Sequence, residues 1–150
     1  MIESEHARTA RAAKRAHAAS LGIDEAYVGR MVDAFYDKIR ADAVLGPIFV
    51  AHVAEWASHL ERMNRFWRSV LFNSGEFNGN PMPTHVAIPN LDRTQFTRWL
   101  ELFDETLGEI GSPAARTLVL GRARNIANSL LNAVVVHRDG GLGLAKADQL

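Results

Sequence analysis

Two of the six histidines stand where an imidazole can do chemistry. His85 lies in Pro81-Met82-Pro83-Thr84-His85-Val86-Ala87-Ile88-Pro89, a segment stiffened by proline on both sides and flanked by apolar Met82, Val86 and Ile88. An imidazole that ligates a metal must keep one position and one ring orientation, and such framing supplies both. A loop histidine satisfied by a backbone carbonyl fits the local sequence as well. His59 precedes this segment on a helical stretch, with Met63 four residues on and Phe66 three further, so that all three share one face. Alone, it reads as a boundary histidine on a core helix. Tyr36 and Trp99 lie on or beside apolar stripes, and a buried phenol or indole must place its polar hydrogen on a partner. Singly each is an ordinary core aromatic, but two inward donors accompanying two histidines are a less ordinary set.

The elements that must position these side chains are helical almost throughout. Residues 3–19 are Ala-rich and charged with no strong apolar face, which fits a helical lead-in or a partly ordered arm. Asp24 is a suitable N-cap for a helix in which Val28, Val32, Phe35 and Ile39 recur at helical spacing, beside Tyr36. Leu45-Gly46-Pro47-Ile48-Phe49 interrupts it with a turn or a short irregular helix. A further helix is predicted from about Glu55 to Phe72, its stripe formed by Trp56, Leu60, Met63, Phe66, Trp67, Val70 and Leu71. From Asn73 to Asp92 the chain is loop-rich. Three of its five prolines fall within nine residues there, which excludes a long regular helix. Asp92 or Thr94 caps a helix carrying Phe96, Trp99, Phe103 and Leu107, ended by Gly108 and Gly111. Pro113 suits the first turn of a last long helix with Val119, Ala123, Ile126, Ala127, Leu130 and Val134 on its inner face, stopped by Gly140-Gly141. No alternating strand pattern and no internal repeat is found. The fold class is all-α, and periodicity alone would equally allow a plain helical bundle.

Composition excludes several chemistries. With 150 residues the chain can build one domain with a real core. Seventeen basic residues balance seventeen acidic ones, which leaves no electrostatic case for nucleic acid. The absence of cysteine removes disulfides, thiolate ligands, iron–sulfur clusters and thioether attachment of a cofactor together. The N-terminal residues lack the apolar stretch of a signal peptide, and the longest apolar runs, such as Ala133-Val134-Val135-Val136, are far too short for a bilayer. A soluble cytoplasmic protein without a membrane partner is expected.

An ordered set of motifs carries a resemblance. Phe35-Tyr36-Asp37-Lys38-Ile39-Arg40 is followed by Leu45-Gly46-Pro47-Ile48-Phe49, by Glu55-Trp56-x-x-His59, and by Phe66-Trp67. Gly75-x-Phe77-Asn78-Gly79-Asn80-Pro81, His85, Pro89 and Phe96-x-x-Trp99-Leu100-x-Leu102-Phe103 complete it, over roughly residues 25–135. In this pattern the chain resembles the group III truncated haemoglobins, a branch of the two-over-two globins. The Gly-Gly motifs of the other truncated groups are absent, as they are from group III.

The resemblance implies a two-over-two helical sandwich enclosing a haem. Residues 1–20 would be a basic Ala-rich lead-in, 21–138 the globin domain and 139–150 a flexible tail. It implies haem b held non-covalently, with His85 as the proximal iron ligand. Tyr36, Trp99 and His59 correspond to the distal residues that stabilise a ligand. Met63, Phe49, Phe66, Phe35 and Phe96 correspond to pocket-lining residues, with Phe103 as a further pocket or core aromatic. Arg62 is favoured over Arg65 as partner of a haem propionate, against the alternative that both are solvated surface arginines. The expected ligands are O2 and other diatomics such as NO and CO, with cyanide and peroxide as further candidates. The functions implied are reversible O2 binding or, alternatively, peroxidase-like or nitric oxide dioxygenase-type turnover fed by an external, unidentified reductase. Two further classes stay open: a haem sensor acting through a partner, and a haem-free helical interaction module using the basic arm with Arg8, Arg11 and Arg15 on one face.

Overall fold

The structure is a computed structural model that describes residues 4–77, 79, 85, 87–88 and 91–138. Its order is α1 (Glu5–Ser20), α2 (Glu25–Ala41), α3 (Gly46–His52), α4 (Trp56–Phe72), α5 (Arg93–Ile110) and α6 (Pro113–Arg138). No strand occurs among the described residues. Helices α2 and α4 pack on each other, as do α5 and α6, and α2 joins the two pairs by crossing α5. None of these helices is long and apolar enough to cross a membrane.

Local chemistry sets most helix ends. Asp24 accepts from the Tyr27 N–H at 2.8 Å and starts α2. Asp92, rather than Thr94, starts α5 through a reciprocal capping box with Gln95. Ser112 accepts from the Ala115 N–H as α6 begins at Pro113. Asn73 closes α4 in the left-handed conformation that asparagine tolerates. Residues 5–20 form a regular helix with an exposed basic surface; it buries Ala18 and is tied to the end of α4 by the Lys14–Asn73 hydrogen bond and by Arg15 over the Phe72 ring. Gly140-Gly141 and the expected tail lie outside the described residues.

Gly108 does not end its helix as the sequence reading expects; α5 continues to Ile110. A Cβ at Gly108 would meet the Arg116 guanidinium at 2.6 Å, so the glycine gives that side chain passage to Asp104, which it reaches at 2.7 Å. The residue serves a helix–helix contact rather than a stop.

The apolar interior has two parts. The larger runs through α2, α4, α5 and the start of α6, with Val28, Val32, Phe35, Trp67, Phe103 and Leu107 among its members. The smaller gathers Leu91, Phe96, Ala127, Leu130, Leu131 and Val134. Trp99, Leu100 and Ile126 touch both and are themselves only half-buried.

The turn between α2 and α3 is fixed by one carboxylate. Asp42 Oδ2 accepts from the Val44 and Leu45 N–H groups, while Oδ1 takes the Arg98 guanidinium of α5 at 2.7–2.8 Å. Arg98 holds the Asp42 carboxyl below its ordinary range, so it stays ionised. At the start of α3 the backbones come very close, and a Cβ at Gly46 would lie 2.9 Å from the Arg40 carbonyl oxygen. Gly46→Ala is therefore expected to cost about 1–3 kcal/mol by overpacking against backbone. At about 2–4 °C per kcal/mol for a chain of this size, thermal unfolding followed by circular dichroism detects it; an unchanged midpoint would show that α3 shifts freely.

Candidate functional site

The last turns of α2, the start of α4 and α3 between them bring rings together around one imidazole. Tyr36 faces inward because Val32, Phe35 and Ile39 place that side of α2 in the core; it is 5% exposed. Its ring meets His59 of α4 edge-on, with centroids 5.0 Å apart and planes at 88°. Trp56, three residues before His59, meets the same imidazole at 5.7 Å and 85°. Phe49 of α3 meets it at 6.4 Å and 71°. His59 thus sits in a cage of three aromatic rings.

The electrostatics of the cage are those of a neutral site. His59 Nε2 is buried and has no hydrogen-bond partner among the described residues. Burial, then the positive charge of Arg62 and the proximity of His85, push the His59 imidazole down to about 4. It is uncharged at neutral pH, with one nitrogen a donor and the other an acceptor. Burial also pushes the Tyr36 phenol well above its usual range, so its hydroxyl keeps its proton. An unpaired buried polar nitrogen costs about 1–3 kcal/mol.

Phe35 links this cage to the other expected donor. Its ring lies edge-on to Tyr36 at 5.1 Å and to Trp99 of α5 at 5.4 Å. Trp99 in turn stacks on Phe103 at 5.4 Å and 2°, and Phe103 on Trp67 at 5.1 Å. Met63 and Phe66 follow His59 along α4, both half-buried. Arg62 is exposed but acts electrostatically on His59. Phe96 stands apart from the cage, in the smaller apolar cluster. His85 is half-buried, its backbone helical, its carbonyl accepting from the Ile88 N–H at 3.1 Å. The framing residues Met82 and Val86 lie outside the described residues.

Two residues at the cage were not singled out as site residues by the sequence reading. Trp56 was read as part of the α4 stripe, and Arg40 only as part of a motif. Arg40 lies with its guanidinium carbon 4.4 Å over the Trp56 ring. The signal available was spacing: Trp56 is one turn before His59, and Arg40 one turn after Tyr36.

The segment leading toward His85 is tethered back to α4. Arg68 grips Glu76 with two nitrogens at 2.7 and 2.8 Å, and Ser69 Oγ accepts from the Phe77 N–H. Phe77 then packs edge-on against Phe66 at 5.1 Å. An open groove of about 360 Å³ lined by Arg15, Asp24, Glu25 and Phe72 shares no lining residue with this site.

Comparison with known proteins agrees with this architecture. The crystal structure of group III truncated hemoglobin from Campylobacter jejuni is similar with a TM-score of 0.70 at 31% identity, covering 75% of this chain and 91% of that one. The fold is that of the truncated globins. No family model matches the chain. The group 3 truncated hemoglobin ctb of Campylobacter jejuni is 31% identical over 123 residues, spanning 79% of this chain and 95% of its own. The chain belongs to the group III truncated haemoglobins. Membership of a globin family implies a haem cofactor and small diatomic ligands.

The Arg68–Glu76 tether has a defined acid limit. The Arg68 guanidinium holds the Glu76 carboxyl at about 2, against an ordinary 4.5. A carboxylate depressed on folding stabilises the native state above its unfolded value and loses that contribution as pH falls toward the folded one. Glu76→Gln should lower the urea midpoint at neutral pH, and the two proteins should converge as pH drops from about 4.5 to about 2. A midpoint difference that stays constant over that range would show that the ion pair is not its source.

Proposed function

We propose that this chain holds haem b non-covalently, with His85 as proximal iron ligand, and binds O2 and other diatomic ligands beside Tyr36, Trp99 and His59. The observation that carries the reading is the buried Nε2 of His59, unpartnered among the described residues, inside the Tyr36–Phe49–Trp56 cage. The residues present fit the cofactor. A second histidine lies within electrostatic reach of His59, and half-buried Met63, Phe66, Trp99 and Leu100 offer apolar surface for a flat ring. With no cysteine in the chain, attachment through thioether bonds is excluded.

When bound, haem supplies an iron that takes a diatomic ligand and shifts electron density onto it. The chain's own residues do the rest. Tyr36, buried and protonated, donates its O–H toward a ligand that gains negative charge; Trp99 Nε1–H is the second donor. Neutral His59 offers one further donor or acceptor at Nε2. Phe35 sets the spacing of the two aromatic donors by touching both rings. Phe49 and Trp56 keep water from competing for these groups. Exposed Arg62 stands on the same helix as His59, one turn from its surface edge, as the candidate partner of a propionate. Ligand retention, rather than fast exchange, is the property such a donor set favours.

Ultraviolet–visible spectra of ferric and ferrous protein test the reading directly. Wild type should show a Soret band, and His85→Ala should lose it or shift it to an abnormal ligation state. A well-folded wild type that takes up no haem overturns the reading. Hydrogen bonds to a charged acceptor contribute about 1.5–3 kcal/mol. Tyr36→Phe should therefore speed O2 dissociation by about 10–150-fold, at a factor of ten per 1.4 kcal/mol. Trp99→Phe should act in the same direction. Dissociation rates equal to wild type in both variants would remove them as donors.

A further inference from the structure

One pair of residues, Trp56 and Arg40, closes the cage on its outer side. The Trp56 ring touches all three other members: His59 at 5.7 Å, Tyr36 at 6.0 Å and Phe49 at 6.5 Å. Trp56 is also the first residue of α4, and the preceding Glu55 makes no side-chain cap. The first turn of a helix has N–H groups without intrahelical partners and is the part least held by its own hydrogen bonds. Its position therefore depends on what the indole packs against. On the outer side that is the Arg40 guanidinium, whose carbon lies 4.4 Å from the ring centroid. Arg40 is anchored to its own helix, since its Nε donates to the Tyr36 carbonyl at 3.4 Å and its Nη2 lies 3.7 Å from Asp37. The Asp37 pair is exposed on both sides and contributes little stability. Of the contacts Arg40 makes, the one on Trp56 reaches from α2 to α4, beside the ring contacts of Tyr36.

We propose that Trp56, held under Arg40, is the positioning residue that keeps the His59 imidazole turned into the pocket, and that the Arg40–Trp56 contact is a latch that small ligands must open on entry. This rests on the ligand-binding reading of the same site. Arg40 reaches no ligand itself; it acts through Trp56. Removing the cation loosens the first turn of α4, and His59 with it, against the remaining ring contacts to Tyr36 and Phe49, while the buried core below Trp67 is untouched.

The test uses the full-length haem-loaded protein with Arg40→Met, Arg40→Lys and Trp56→Leu. Two readouts are taken: the association rate of carbon monoxide after flash photolysis, and the C–O stretching frequency, which reports the polar groups beside the bound gas. Arg40→Met should speed association by about two- to fivefold, the size expected from one exposed cation–π contact. Trp56→Leu should speed it by about tenfold, because the aromatic contacts go as well. Both should add a C–O band at the frequency of a pocket without the His59 contact, and Arg40→Lys should restore much of the wild-type rate and band. Wild-type rates and a single unchanged band in Arg40→Met overturn the latch. Should Trp56→Leu fail to fold, Arg40→Met decides alone, since its side chain is on the surface. Should wild type take up no haem, the cofactor reading fails by itself. The latch is then read from the His59 ring protons by NMR: movement toward unshielded values in Arg40→Met supports it, and wild-type shifts overturn it.

Discussion

The edge-on contact between the Tyr36 phenol and the His59 imidazole is the constraint around which the rest of the molecule is organised. Each ring carries a polar group that burial penalises. The phenol responds by staying protonated and the imidazole by staying neutral, both consequences of the same low-dielectric surroundings. Neither could be held there by propensity alone. Tyr36 needs the apolar stripe of α2 to turn it inward, and His59 needs rings on its flanks to exclude water from Nε2. An unpaired imidazole nitrogen beside a buried phenol is costly in a core and useful in a binding site, where a small polar partner relieves it.

Holding that pair in register falls to contacts some distance away. Asp42 joins the α2–α3 turn to α5 through Arg98, one residue before Trp99. Phe49 on α3 and Trp99 on α5 thereby depend on a common carboxylate, although neither touches it. Gly46 permits the close backbone approach that brings α3 over the end of α2. Lys38 bridges to Glu105 and Glu109 of α5 at 3.0 Å on the outer surface, two residues beyond Tyr36. Exposed pairs of this kind add little energy singly. Their value lies in fixing the sliding of α2 on α5, which sets the distance between the phenol and the indole.

Much of this was legible in the sequence, and the reasons differ by element. Helix α4 declares itself through apolar periodicity and is recovered nearly to the residue; for α2 the Asp24 cap marks the start, while its end at Ala41 comes before the break expected at Leu45. Gly46-Pro47 leaves a turn or a short irregular helix open, and the structure forms the helix α3 there with proline in its first turn. Gly108 was misread because its purpose lies across the helix–helix contact with Arg116, and nothing local distinguishes a glycine that admits a neighbour from one that stops a helix. In the site, Tyr36 and His59 are ordinary singly and distinctive only as a set with Trp99 and His85. Trp56 is not distinctive even so, because a tryptophan on an apolar stripe is indistinguishable from core until its neighbours are known. Arg40 is legible only in three dimensions, since the ring it covers is 16 positions away in the sequence. Phe96 shows the converse: the family pattern names it, yet its packing partners are Leu91 and the aliphatic face of α6.

The divided interior bears on why such a chain would use a cofactor to complete its fold. The larger cluster and the smaller one, built on the far part of α6, are joined through Trp99, Leu100 and Ile126, all half-buried. Leaving large apolar side chains half in water forgoes roughly 25 cal/mol for each Å² left exposed. A flat apolar group seated against Met63, Phe66 and Trp99 would recover part of that loss, and a ligand that binds the folded state alone stabilises it by mass action. On this reading the same side chains that wall the pocket also complete the core. Affinity for the cofactor and stability of the fold are then linked quantities. The ties at Asp42, which hold the α2–α3 turn to α5, become intelligible as contacts that keep α5, whose residues reach both clusters, in place for one group to bridge them.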